Sequence, residues 1–198
     1  MGKIAACSLI APILFAGLLS VQATASAQIR SPGNHVHYAL DVEPHLVVQW
    51  ADEEGFDEGF GLGVRGSIPI IDNGPLPRVN NTLALTAGLD MAFFSENCNT
   101  ADCNAWQLWL PVAAQWNFYF SHSLALFGEL GLAFQYINAE INTRGAACDA
   151  DNFRCSGWDD LDLEPVFWVG GRYIPVDNMA FTMRLGFPSL TIGASFFM

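Results

Sequence analysis

The stretch "AWQLWLPVAAQWNFYF", residues 105–120, sorts into two sets of side chains. Alternate residues from Trp106 are Trp106, Leu108, Leu110, Val112, Ala114, Trp116, Phe118 and Phe120. The intervening set is Gln107, Trp109, Pro111, Ala113, Gln115, Asn117 and Tyr119. A repeat of two is the mark of a β-strand, whose successive side chains point to opposite faces. One face is wholly apolar with aromatics at both ends; the other is mostly polar or small. The stretch is also long. Soluble strands usually have about five or six residues, whereas a tilted strand needs about nine to eleven to cross a bilayer.

The alternation recurs over residues 38–50, 60–70, 83–93, 124–136, 160–173, 179–185 and 189–198, which makes eight strands. One face of each is dominated by Leu, Val, Ile, Met, Phe or Tyr. The other is largely Gly, Ala, Ser, Thr and Gln with a few charges, and it carries no Lys. A soluble sandwich would show a charged, Lys-bearing face to water. Small residues with few charges suit the crowded interior of a small closed barrel, and the apolar face suits lipid with aromatic belts at its interfaces. The fold expected is therefore all-β, an eight-stranded antiparallel up-and-down transmembrane barrel. The opposite assignment, apolar residues inward around a ligand, describes a soluble lipocalin-like carrier and is one alternative.

Residues 1–27, "MGKIAACSLIAPILFAGLLSVQATASA", hold one Lys, an apolar run and small residues at the end, the layout of a secretory signal peptide. Cleavage before Gln28 leaves about 170 residues, enough for one barrel domain over 28–198. Cys7 precedes the apolar run, which argues against a lipoprotein. The remaining chain has seven Arg, no Lys and twenty acids. Nucleic acid is excluded as a partner, because little is available to neutralise phosphates. No run of about twenty apolar residues follows the leader, so a spanning helix is not expected there.

Four cysteines remain as two close pairs, Cys98 with Cys103 and Cys148 with Cys155. An exported chain meets an oxidising compartment, and two local disulfides are expected. The rival is zinc, but the spacings exceed the usual paired-thiolate knuckle and no His lies nearby. With residue 28 on the inner side, the outer connections are 51–59, 95–104, 142–159 and 186–189. The inner ones are 71–81, 121–123 and 175–178. Long outer loops and short inner turns are usual in outer-membrane barrels, and both cysteine pairs fall outside. "LDVEPH" at 40–45 and "LDLEPV" at 161–166 echo each other, and local bulges are expected at Pro44 and Pro165.

The leader, the eight alternating strands and the last strand "SLTIGASFFM" resemble the small eight-stranded outer-membrane barrels of Gram-negative bacteria, the OmpA-type membrane domain. The resemblance covers the whole mature chain and is one of architecture. It implies location in the bacterial outer membrane, contact with its lipid, and a last strand ending on an aromatic that the assembly machinery reads. Here Phe197 is penultimate and Met198 last, a departure from that pattern.

Alternation turns Asp41, Glu43, His45, Arg65, Asp90, Glu129, Asp162, Glu164, Arg172 and Arg184 inward. Buried charges persist only when paired and hydrogen-bonded, so the expectation is a salt-bridge network filling the lumen. A proton or cation path is the sharper alternative, with His45 as its switch. His35, His37 and His122 are expected in solvent at the inner end. Some small barrels modify lipids, but Ser95 and Ser156 have no neighbouring His to serve as base, and no enzyme activity is expected. The acidic outer groups are Asp52, Glu53, Glu54, Asp57 and Glu58, then Asp149, Asp151, Asp159 and Asp160. They offer an extracellular partner or a cation a place to bind, without regular calcium-loop spacing. The functional expectation is a monomer without cofactor or metal, structural or recognising surface partners through acidic, disulfide-clipped outer loops. A narrow porin-like channel for small solutes or cations is the alternative.

Overall fold

The computed structural model describes residues 28–50, 58–98, 101–143 and 158–198. Eight strands run in chain order: β1 Asp41–Gln49, β2 Gly59–Ile71, β3 Asn81–Cys98, β4 Ala101–Ser121, β5 Leu124–Thr143, β6 Trp158–Val176, β7 Met179–Phe187 and β8 Ser189–Phe197. Each pairs antiparallel with its neighbours, and β8 returns to β1, so the sheet closes into a barrel. Over the height that all eight strands share, closure leaves no unpaired edge, which is what a sheet in hydrocarbon requires.

The faces follow the alternation. Leu130 is 71 % exposed and Leu62 67 %, and Phe60, Phe134, Phe167, Phe181 and Ile192 are all exposed. Gln107, Trp109, Ala113, Gln115, Asn117 and Tyr119 are buried on the lumen side. Outward aromatics gather at two heights. Near the outer end Phe60 pairs with Phe93 and Phe93 with Trp106, and the Trp106 ring lies 5.3 Å from that of Tyr136. Near the inner end Tyr173 pairs with Phe181, and Trp116 packs 4.9 Å from Phe118 while its indole N–H donates to Asn81. Rings with one polar edge belong at the two interfaces of a bilayer. An outward apolar surface of this extent has no place in water. The soluble-carrier alternative, which needs the apolar face inward, is overturned by these exposures.

The strand lengths differ more than the alternation predicts. β1, β7 and β8 have 9 residues each, while β3 to β6 have 18, 21, 20 and 19. The expected outer loop at 95–104 is mostly strand: β3 extends to Cys98 and β4 restarts at Ala101.

Bulges do not form at Pro44 or Pro165. Val64 and Leu132 face them in unbroken register. Proline needs only an unpaired N–H, not an extra residue. At Pro44 the ladder to β8 lapses between Val42–Phe196 and His45–Gly193 without a change of register. Pro165 lies beyond the β6–β7 ladder, which starts at Phe167–Phe187. Register shifts occur instead at Pro69/Ile71, Tyr119/Ser121 and Tyr173/Val176, all near the inner turns.

The segment before β1 closes the inner end. Asn80 receives it twice: its N–H donates to the Ile29 carbonyl and its side-chain amide to the Asn34 carbonyl. Val36 and Phe197 pack on a cluster of Tyr119, Ala125, Ile174 and Ala180. Tyr38 stacks on Phe197 at 4.8 Å, and burial raises its phenol pKa above the usual value.

Candidate functional site

The lumen at mid-height is a charge cluster built from alternate residues of all eight strands. Arg65 donates to Asp90 at 2.8 Å and to Glu129 at 3.1 Å. Arg184 donates to Glu129 at 2.9 Å through Nε and to Glu43 through Nη1. Arg172 donates to Asp41 at 2.6 Å and stands 4.0 Å from Glu43. Gln115 and Ser195 add neutral donors to Glu129 and Glu43. All seven ionic groups are buried. Guanidinium suits this place, because its fork serves two carboxylates at once.

His45 supplies the eighth member. Its Nε2 lies 2.8 Å from Asp90 and its Nδ1 3.1 Å from the Glu43 carbonyl. Both ring nitrogens thus face acceptors. Three Arg stand among the four carboxylates of Asp41, Glu43, Asp90 and Glu129. Gly63 makes the His45–Asp90 contact possible: a Cβ there would overlap both Asp90 Oδ1 and His45 Nε2.

Asp162 and Glu164 stand apart from the cluster, as a correction to the alternation. Asp162 is exposed and Glu164 half-buried, and neither enters an ion pair among the described residues. The reason is height. They occupy β6 outward of Val166 and Trp168, which join Trp109, Ala133 and Phe187 in an apolar layer above the charges. The Arg65 guanidinium sits 4.5 Å over the Trp168 ring, and Gln107 receives bonds from Trp109 and Gln49 in the same layer. Below, Arg172 and Arg184 lie over Phe127 at 5.3 and 5.1 Å. The charges are thus capped by rings on both sides.

His35 also departs from its expected solvent position. It is buried, stacked on Tyr119 at 4.6 Å, with Nδ1 2.7 Å from Asn80 Oδ1. His37 is exposed and 3.1 Å from Asp72, and His122 is exposed beside Asp177 at 2.9 Å. The sequence reading missed the His35–His37–Asp72 grouping, because 35 and 37 precede the strand and 72 follows the next one. Of the final residues, Phe196 is the outward aromatic and Phe197 packs inside. The Cys148 and Cys155 pair lies outside the described residues. The backbone pairs Cys98 with Ala101 and Cys103 with Glu96 at the tip of the β3–β4 hairpin.

No family model matches the chain, and no curated protein matches it. Solved structures share its fold. Neisserial surface protein A is 11 % identical with a TM-score of 0.53, over 80 % of this chain and 96 % of that one. Ail, the attachment invasion locus protein of Yersinia pestis, is 13 % identical with a TM-score of 0.47, over 79 % and 95 %. The outer membrane protein OprG of Pseudomonas aeruginosa is 13 % identical with a TM-score of 0.45, over 84 % and 93 %. Only the first of these likenesses is close enough to bear on the fold. With the outward apolar band, that fold makes this chain an eight-stranded outer-membrane barrel, located in the bacterial outer membrane.

Proposed function

We propose that the barrel is a closed, non-conducting anchor that presents its outer segments to surface partners, without catalysing a reaction. The observation that carries this is the lumen: buried charges pair wall to wall, and aromatic layers cover them above and below. An eight-stranded barrel has room for side chains and little else. The four tall strands supply the second half of the argument, since they run further than a bilayer requires. The acidic groups at 52–58 and 149–160 repel polyanions and favour a cationic partner. Disulfides Cys98–Cys103 and Cys148–Cys155 would clip these segments.

Planar-bilayer recordings of the purified protein test the closed lumen. Silence is expected. Discrete conductance steps that shrink in Glu129→Gln or Asp90→Asn would replace this proposal with the narrow cation channel. Thiol labelling of the non-reduced protein tests the clips: four reactive outer cysteines would remove them. An oligo-lysine peptide should bind whole cells carrying the protein at low salt and release as salt rises. Binding indifferent to salt would remove charge as the basis of recognition.

A further inference from the structure

At the inner end of the barrel, His35, His37 and Asp72 each offer one ligand atom, and these atoms lie within 4.8 Å of one another. The tautomer of His35 is set by its neighbour. The Asn80 side-chain amide nitrogen donates to the Asn34 carbonyl, so its Oδ1 is the atom turned to His35. An amide oxygen only accepts. Nδ1 of His35 therefore carries the proton, and in the neutral ring Nε2 is a bare lone pair. That Nε2 is buried, has no hydrogen-bond partner, and points toward Asp72 Oδ1 at 3.5 Å. The separation exceeds a normal N–H···O bond. A lone pair facing a carboxylate oxygen asks for a cation between them.

Two of the three ligand separations match an ion. His37 Nδ1 stands 3.2 Å from Asp72 Oδ1, and the two imidazole rings are 4.7 Å apart. Two ligands each about 2.0–2.1 Å from a tetrahedral ion stand roughly 3.3 Å apart. The observed 3.2 and 3.5 Å bracket that value. The Asn80 bond to the far nitrogen is the support a metal-bound imidazole usually has. Access is open, because His37 and Asp72 border a surface groove with Tyr38, Ala39, Pro69 and Met198.

We propose that His35 Nε2, His37 and Asp72 form a site for a first-row divalent transition metal, of which Zn²⁺ is the type, with one position left to solvent. Two imidazoles and one carboxylate are borderline ligands and select such ions over Mg²⁺ or Ca²⁺. The ion ties the segment before β1 to the β2–β3 turn. The site thereby fastens the inner end of the barrel.

The test uses the protein expressed with its own leader, without a polyhistidine tag, purified from membranes in detergent and stripped with chelator. Calorimetric titration with ZnCl₂ should give one ion per chain, and MgCl₂ none. Asp72→Asn and His37→Ala, both at exposed positions, should each weaken binding about tenfold or more, with the boiling-dependent gel shift unchanged as a control for folding. Co²⁺ should show the intense visible bands of a four-coordinate ion. Absence of Zn²⁺ binding, or binding equal in both variants, would overturn the proposal. So would a His35 ring found protonated on both nitrogens while Zn²⁺ fails to bind, since the cluster would then be an ion pair alone.

Discussion

The two walls of the barrel are unequal. β7, β8 and β1 have 9 residues each, the minimum for crossing. β3 to β6 have about twice that, and β6 runs on outward from Phe167 to Trp158 with no partner on β7. Both walls contribute to the charge cluster: Arg184, Glu43 and Asp41 from the short one, Asp90, Glu129 and Arg172 from the tall one. The cluster and the apolar band therefore belong to the height that both walls share. The bilayer dictates that part of the chain and says nothing of the rest. The tall extension answers to the outside.

This contrast predicts a graded response to substitution. Within the shared height, Arg184→Met should cost the most, about 3–5 kcal/mol, since it strands Glu43 and Glu129 in the interior. Urea unfolding in detergent micelles, followed by the gel shift, measures it; an unchanged midpoint would deny the cluster a structural role. Leu130→Arg, on the lipid face of β5, should cost about 2–4 kcal/mol in lipid vesicles. A cost that vanishes there would return the outward face to water. In the tall extension, replacing residues 96–103 by an Asn-Gly turn joins Ser95 to Asn104, which already face each other. Stability should stay within about 0.5 kcal/mol of the parent. Asp162→Asn, at the exposed mouth, should change least of all, by less than about 0.5 kcal/mol, in the same unfolding assay. A large loss there would extend the charge cluster to the rim.

Much of this was legible in the chain. A period of two states which face each residue takes, and every strand kept its assigned face, because one slip would turn all its apolar side chains inward. It also turns inward the side chains that meet in the charge cluster. It does not give height. Alternation cannot tell Asp162, above the Trp168 layer, from Asp90 below it. Nor does it tell where a strand ends, so 95–98 and 101–104 read as loop from their polar residues. Proline was over-read, because the ladder simply lapses at Pro44 where a missing N–H would otherwise be felt. His35 was beyond reach, since its partners, Tyr119 near the end of β4 and Asn80 in the β2–β3 turn, are brought together only by the closed barrel.

The β1–β8 seam carries one more consequence, for the order of assembly. Every other ladder joins strands consecutive in sequence, but this one brings together Glu43 and Ser195, 152 residues apart. Closing so long a loop has an entropic cost that local hairpins avoid. Met198 exchanges backbone bonds with Leu40 and so completes the seam at the inner end. The circle should therefore shut last. Until it does, a growing sheet holds two raw edges that must be shielded, one on β1 and one on β8.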